Sequence, residues 1–180
     1  MDVDYRPTGM INCDVQLCVG CRMCEVACSV AHFGAVSPAL SRIRVAKLEG
    51  IGIDLAIACV GCAEKPCLQC AVDALSVGPS GQIVLEAEVC IGCEDCVIRC
   101  PIGAVGFYEG EPLFCDLCDG APSCVDVCPT GALVNAAELA PSLAPFMELS
   151  GPSARRRADY TSTVSQPVRD SWLAGWRLGE

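Results

Sequence analysis

Residues Cys90 to Pro101 read CIGCEDCVIRCP, four cysteines spaced C-x2-C-x2-C-x3-C and followed by proline. Related blocks recur along the chain: CVGCRMCEVAC from Cys18 to Cys28, CVGCAEKPCLQC from Cys59 to Cys70, and CDLCDGAPSCVDVCP from Cys115 to Pro129. A pattern repeated four times has to be read as one architecture before any single block is read as a site. The four blocks take sixteen of the 17 cysteines in the 180-residue chain and leave Cys13 alone.

Aromatic residues make up only 5% of the chain, so thiols must replace large apolar side chains in its interior. In a short secreted chain such density suggests a disulfide framework with an even cysteine count. Here the count is odd. The opening MDVDYRPTGM has acids where a signal peptide is basic, and neither an apolar region nor twin arginines. The expectation is a reducing cytoplasm, where clustered cysteines bind metal or carry out redox chemistry. No run approaches the roughly 20 apolar residues of a membrane span. With 22 acidic residues against 12 basic ones, the chain is not expected to bind nucleic acid or adsorb to anionic lipid. Its expected partners are proteins with basic docking surfaces.

The repeats extend beyond the cysteines. VDALSV, IGAVGF and TGALVN follow three of the blocks, and each reads as a short strand leaving a cysteine loop. ALSVGPSGQIVL and AVGFYEGEPLF each put a glycine-containing turn between two such runs, as hairpins do. SRIRVAKLEGIGIDLAIA predicts a third hairpin, with a half-exposed first strand. CEVACSVAHF and CVIRCP predict a helical turn or two. From Ala137 onward the cysteines stop, prolines appear, and SARRRADYTSTVSQP reads as polar tail rather than core. Val168, Trp172 and Trp176 at four-residue spacing predict a short helix near 168–178.

Zinc sites pair two C-x2-C knuckles across about 12 to 20 residues, whereas CVGCAEKPCLQC leaves a gap of four, and C-x2-C-x2-C crowds three thiols into seven residues. A thioredoxin-type dithiol needs one motif in a βαβ context, not four. The spacing C-x2-C-x2-C-x3-C-P is instead the bacterial pattern for a cubane iron–sulfur cluster, in which the fourth cysteine ligates the partner motif's cluster. CIGCEDCVIRCP matches it throughout, and CVGCRMCEVACS matches except that Ser29 replaces the proline.

Over residues 10 to 136 these motifs resemble the four-cluster, ferredoxin-like electron-transfer subunits of molybdenum and tungsten oxidoreductases, hydrogenases and related complexes. Within that group the chain looks most like the small iron–sulfur subunit of tungsten-dependent aldehyde oxidoreductases. The resemblance implies an α+β fold of tandem, nested ferredoxin-like halves with short β-hairpins and an extended C-terminal tail. The four-cluster domain would span residues 1–136, with residues 12–40 and 113–136 forming one half and 55–112 the other, and 137–180 would be a docking tail. The nested pairing implies four [4Fe-4S] clusters. Cys18, Cys21 and Cys24 would bind one with Cys128, and Cys115, Cys118 and Cys124 would bind another with Cys28. Cys59, Cys62 and Cys67 would bind the third with Cys100, and Cys90, Cys93 and Cys96 the fourth with Cys70.

Two departures from the family pattern stand out. The second block has C-x4-C-x2-C where the family more often has C-x4-C-x3-C-P, so Cys70 arrives one residue early and Ala71 stands at the proline position. The first block also lacks its proline, which frees a backbone N–H for a cluster sulfur. Cys13 reads as a small buried residue, and His32, the only histidine, as a packing residue rather than a ligand.

No phosphate loop, nucleophile constellation or carboxylate pair marks a substrate site, so the chain is expected to move single electrons and catalyse nothing by itself. The resemblance implies a tungsten- or molybdenum-pterin catalytic subunit at one end and a flavin, NAD or other redox subunit at the other. Trp172 and Trp176 are expected to dock on a partner or on a second copy, which opens a route to filaments. The alternatives are a stand-alone low-potential polyferredoxin shuttle, or the electron-transfer subunit of a hydrogenase, formate dehydrogenase or carbon monoxide dehydrogenase. An iron–sulfur regulator would want a nucleic-acid face, which this acidic chain lacks.

Overall fold

The computed structural model describes residues 8–138 and 141–177. Strand β1 (Thr8–Cys13) leads through the first cysteine loop into α1 (Met23–Phe33). A hairpin follows, β2 (Arg44–Leu48) and β3 (Ile53–Ile57), paired antiparallel from Arg44↔Ile57 to Leu48↔Ile53. The second block leads into the hairpin β4 (Leu75–Val77) and β5 (Ile83–Leu85). The third block carries α2 (Asp95–Arg99) and precedes the hairpin β6 (Gly106–Tyr108) and β7 (Glu111–Leu113). The two residues joining β6 to β7, Glu109 and Gly110, both have positive φ, of 48° and 91°, as a type I′ turn requires. The fourth block holds α3 (Ser123–Asp126) and runs into β8 (Leu133–Glu138).

All three expected hairpins are present. A fourth sheet was not anticipated: β8 pairs with β1, from Thr8↔Glu138 to Cys13↔Leu133, and so joins the start of the cysteine-rich region to its end. The expected half-exposed first strand holds in part, with Lys47 exposed and Arg44 and Leu48 half-buried. Val45 and Ala46 are both buried because the β2–β3 hairpin lies between two cores. Val45 and Ala56 pack with Ile11, Ile43, Leu117 and Leu133, while Ala46, Leu55 and Ile57 pack with Ile83, Ile102, Val105 and Phe114. Period-two alternation thus serves two interiors rather than one interior and solvent.

Proline decides the helix lengths. Pro101 and Pro129 follow the last cysteines of blocks three and four, and α2 and α3 are the brief turns expected. Ser29 stands where the first block would have proline, so α1 continues for 11 residues, longer than expected. It ends where Gly34, at φ 64°, donates to the Val30 carbonyl at 2.9 Å. Ser29 is fully buried inside this helix, so its N–H belongs to the helical ladder rather than to a cluster sulfur.

The extended tail is likewise corrected. Residues Ser153–Val164 form helix α4 and Gln166–Arg177 form α5, and α4 packs back on β2 and β3. Leu143 is buried in the core around Ile102, with Phe146, Tyr160 and Val164 against it. Phe146 meets the Tyr160 ring edge-on, with centroids 4.9 Å apart. The segment looked like tail because its buried residues, Arg156 and Thr161, are polar. Hydrogen bonds make that burial tolerable: Thr161 Oγ1 donates to the Arg157 carbonyl at 2.8 Å, and Arg156 donates to main-chain carbonyls of the third block. No helix among the described residues is long and apolar enough to cross a membrane.

Candidate metal centres

All seventeen cysteines are free thiols, and cysteines from different blocks converge. One hollow is lined by Cys18, Cys21, Cys24 and Cys128. A second is lined by Cys70, Cys90, Cys93 and Cys96. Cys59, Cys62 and Cys100 all act electrostatically on Cys67, and Cys67 and Cys100 are buried in the same core. Cys28 and Cys118 act likewise on Cys124 beside the other core. Cys115 feels Cys124 and Cys28, and also Cys59, so blocks two and four approach each other. On α1, Cys24 and Cys28 lie one helical turn apart, and Cys24 serves the first hollow while Cys28 turns to block four.

The loops share one backbone device. Gly20, Gly61 and Gly92, each just before the second cysteine of its block, have φ of 61°, 54° and 65°. Glycine enters this left-handed region without steric cost. In block four the same position is Leu117, held at φ 62° and 5% exposed. Its side chain reaches the strand β1 at Gly9, where an added Cβ would lie 2.7 Å from Leu117 Cδ1.

The shortened second block is tied to the third. Arg99 Nη1 donates to Gln69 Oε1 at 2.8 Å, and Arg99 Nε donates to Asp95 at 2.6 Å. These bonds set Cys70, one residue after Gln69, beside the helix that carries Cys96. Main-chain donors reach several of the sulfurs, among them Arg42 N–H to Cys28 Sγ at 3.2 Å and Ala104 N–H to Cys100 Sγ at 3.3 Å.

Burial opposes ionisation. It pushes the Cys24, Cys59, Cys67 and Cys124 thiols up to about 12 and Cys96 to about 11. It also raises Cys62, Cys115 and Cys118. Cys128 goes the other way: burial raises it, but the Leu133, Thr130 and Ala132 N–H groups and the Thr130 hydroxyl more than offset this. Buried, all-sulfur sets of this kind are poor free acids but good ligands, because a bound metal centre deprotonates coordinating thiols outright. The donor set suits soft iron–sulfur chemistry.

Cys13 packs against both cores and hydrogen-bonds Cys18, which lowers Cys18 and raises Cys13. His32 is engaged through both ring nitrogens, at 2.8 Å from the Cys28 carbonyl and 3.0 Å from Asp116 Oδ1. Arg42 also donates to Asp116 Oδ2, while Oδ1 accepts from the Cys118 N–H at 3.0 Å. Burial alone would raise the Asp116 carboxyl, but the Cys118 N–H, Arg42 and His32 hold it below the usual carboxylate range. On α5, Trp172 and Leu173 are exposed, and the side chain of Trp176 lies outside the described residues.

Reading the sequence missed Arg156, Asp116 and the Arg99–Gln69 bond. Only the first left a trace, as three consecutive arginines in an acidic chain.

No family model matches the chain. The polyferredoxin-like subunit of aliphatic sulfonate oxidoreductase from Pyrococcus furiosus is 44% identical over 104 residues, covering 56% of this chain and 60% of that protein. The formate dehydrogenase iron-sulfur subunit of Wolinella succinogenes is 40% identical over 100 residues, covering 53% of this chain and 49% of that protein. Electron transport protein HydN of Escherichia coli is 34% identical over 100 residues, covering 53% and 57%. The chain spans between 49% and 60% of the length of these relatives. Over these 100 to 104 residues it is similar to iron–sulfur, electron-transport and polyferredoxin-like proteins.

Proposed function

We propose that the chain is the electron-transfer subunit of an oxidoreductase and holds four [4Fe-4S] clusters. Their ligands would be Cys18, Cys21, Cys24 and Cys128; Cys28, Cys115, Cys118 and Cys124; Cys59, Cys62, Cys67 and Cys100; and Cys70, Cys90, Cys93 and Cys96. The observation that carries this reading is the sorting of the thiols. Cys128 lines the hollow of block one, Cys28 acts on the thiols of block four, Cys100 acts on those of block two, and Cys70 lines the hollow of block three. Each group therefore takes three thiols from one block and one from another, as paired ferredoxin motifs do.

A bound cluster of this kind supplies one-electron transfer. The protein's part is to hold sulfur ligands in two adjoining cores and to shield them from solvent. The halves we propose are residues 12–40 with 113–136 and residues 55–112. The electrostatic effect of Cys59 on Cys115 reflects the approach of blocks two and four, which supports electron passage from one half to the other.

The relatives support a catalytic partner, and a tungsten- or molybdenum-pterin aldehyde oxidoreductase subunit is the partner we favour, with a flavin or NAD subunit as the second redox partner. Exposed Trp172 and Leu173 on α5 are candidates for docking, to that partner or to a second copy that would extend a filament. Sedimentation with and without the catalytic subunit separates these two docking modes. Anaerobic reconstitution with iron and sulfide should yield about sixteen irons per chain on four-cubane stoichiometry. Eight or fewer, or stoichiometric zinc, overturns the assignment. Affinity purification from native cells should bring down a catalytic subunit, whereas a shuttle would come alone.

A further inference from the structure

Arg156 is 3% exposed, yet none of the ion pairs among the described residues includes it. Its guanidinium donates from Nη2 to the Val97 carbonyl at 2.9 Å and to Ser153 Oγ at 3.1 Å, and from Nη1 to the Ile98 carbonyl at 2.6 Å and to the Cys100 carbonyl. Its Nε is buried without a hydrogen-bond partner. The three carbonyls belong to the end of α2, where Pro101 stops the helix and leaves acceptors without intrahelical donors. A cation is favoured there, but carbonyl dipoles alone compensate a buried, permanently charged guanidinium poorly. The titratable group that acts on it electrostatically is the Cys100 side chain, itself a proposed ligand. Arginine cannot escape by losing its proton. A buried cation with no carboxylate, clamped to the backbone of a proposed ligand, has the arrangement expected of a counter-charge to an anionic centre.

We infer that Arg156 is a positioning residue for the centre proposed at Cys59, Cys62, Cys67 and Cys100. It anchors α4 to the Cys100 segment and holds a fixed positive charge that raises that centre's reduction potential. The inference rests on the cluster reading above. Its sign follows from Coulomb's law: the reduced centre carries one more negative charge than the oxidised one, so a nearby fixed cation favours reduction. The hollow of Cys18, Cys21, Cys24 and Cys128 should be less affected, because it belongs to the other core.

The test is a potentiometric titration of the reconstituted full-length protein, followed by electron paramagnetic resonance, with iron counted in every sample. Arg156→Gln removes the charge. Ser153→Asp leaves Arg156 in place and supplies a carboxylate from the position that now gives Nη2 its hydroxyl acceptor. It also suits the first turn of α4. Cys100→Ser marks which transition belongs to the affected centre.

With iron content unchanged, both variants should shift that transition to lower potential. The reduced-to-oxidised ratio at the wild-type midpoint should fall up to about tenfold, which is about 59 mV for one electron. The transitions of the centres proposed for blocks one and four should stay in place, and Ser153→Ala should move none. If Arg156→Gln loses iron, Ser153→Asp decides by the same two results. Full iron with unmoved potentials in Ser153→Asp overturns this inference and leaves the cluster reading standing. A wild-type chain that cannot take up iron overturns the cluster reading itself.

Discussion

The two cores of this protein both gather cysteines but are closed by different means. The core of blocks one and four is closed by parts of the cysteine region itself. Strand β1 pairs with β8, α1 packs on α3, and Asp116 gathers His32, Arg42 and the Cys118 N–H. The core of blocks two and three borrows material from outside that region. Leu143, Phe146, Tyr160 and Val164 cover it, Arg156 caps α2, and Glu64 accepts from the Leu143 N–H at 2.9 Å. A motif repeated four times fixes ligand spacing, but it does not supply the apolar surface that buries the ligands. One half finds that surface within the repeat, and the other recruits a C-terminal extension.

Breaking the extension should therefore harm one half selectively. Leu143→Ala opens a cavity at a residue 4% exposed and should cost about 2–5 kcal/mol. Denaturant titration should show the lower midpoint, and the iron released first should be that of blocks two and three. Equal release from both halves would erase the distinction. Asp116→Asn tests the self-closed half and should cost about 1–3 kcal/mol, because Arg42 and His32 lose a charged acceptor. Here the iron lost first should come from blocks one and four.

The smallest effect concerns alkaline pH. Burial raises the Tyr160 hydroxyl above its usual value near 10. Its contribution to stability is therefore fully present below about pH 10 and lost as pH rises through the higher folded value. Tyr160→Phe should flatten the alkaline limb of a stability profile while leaving neutral stability within about 1 kcal/mol, since a well-packed ring remains. An alkaline limb unchanged in that variant would remove Tyr160 from the account.

What could be read from the sequence follows from which interactions are local. The three hairpins announce themselves because their strands alternate and their turns carry glycine within a few residues. Strand β1 does not, because TGMINC has no clear alternation and its partner lies more than a hundred residues away. The convergence of the thiols was legible only through resemblance to a nested family, since nothing in the spacing of block one specifies Cys128. Helix α4 was hidden for the opposite reason. Its buried side chains are an arginine and a threonine, so the usual apolar stripe is replaced by hydrogen bonds, those of Arg156 reaching carbonyls at the end of α2. The length of α1 was present in one residue, Ser29, which leaves the helix free to continue.

Leu117 links backbone strain to the order in which the molecule is completed. A leucine at φ 62° persists only where its surroundings enforce it, and here the enforcing contact is the bare backbone of Gly9 on β1. The fourth cysteine loop and the first strand thus finish maturing together: the loop keeps its ligand-ready shape once β1 has docked, and β1 docks against a loop already shaped. A nascent chain presents Gly9 long before Leu117 exists, so this corner must wait for the last cysteine block to be synthesised. Loading of the centre proposed there should then be a late event, with accessibility of the first strand to protease as its gauge.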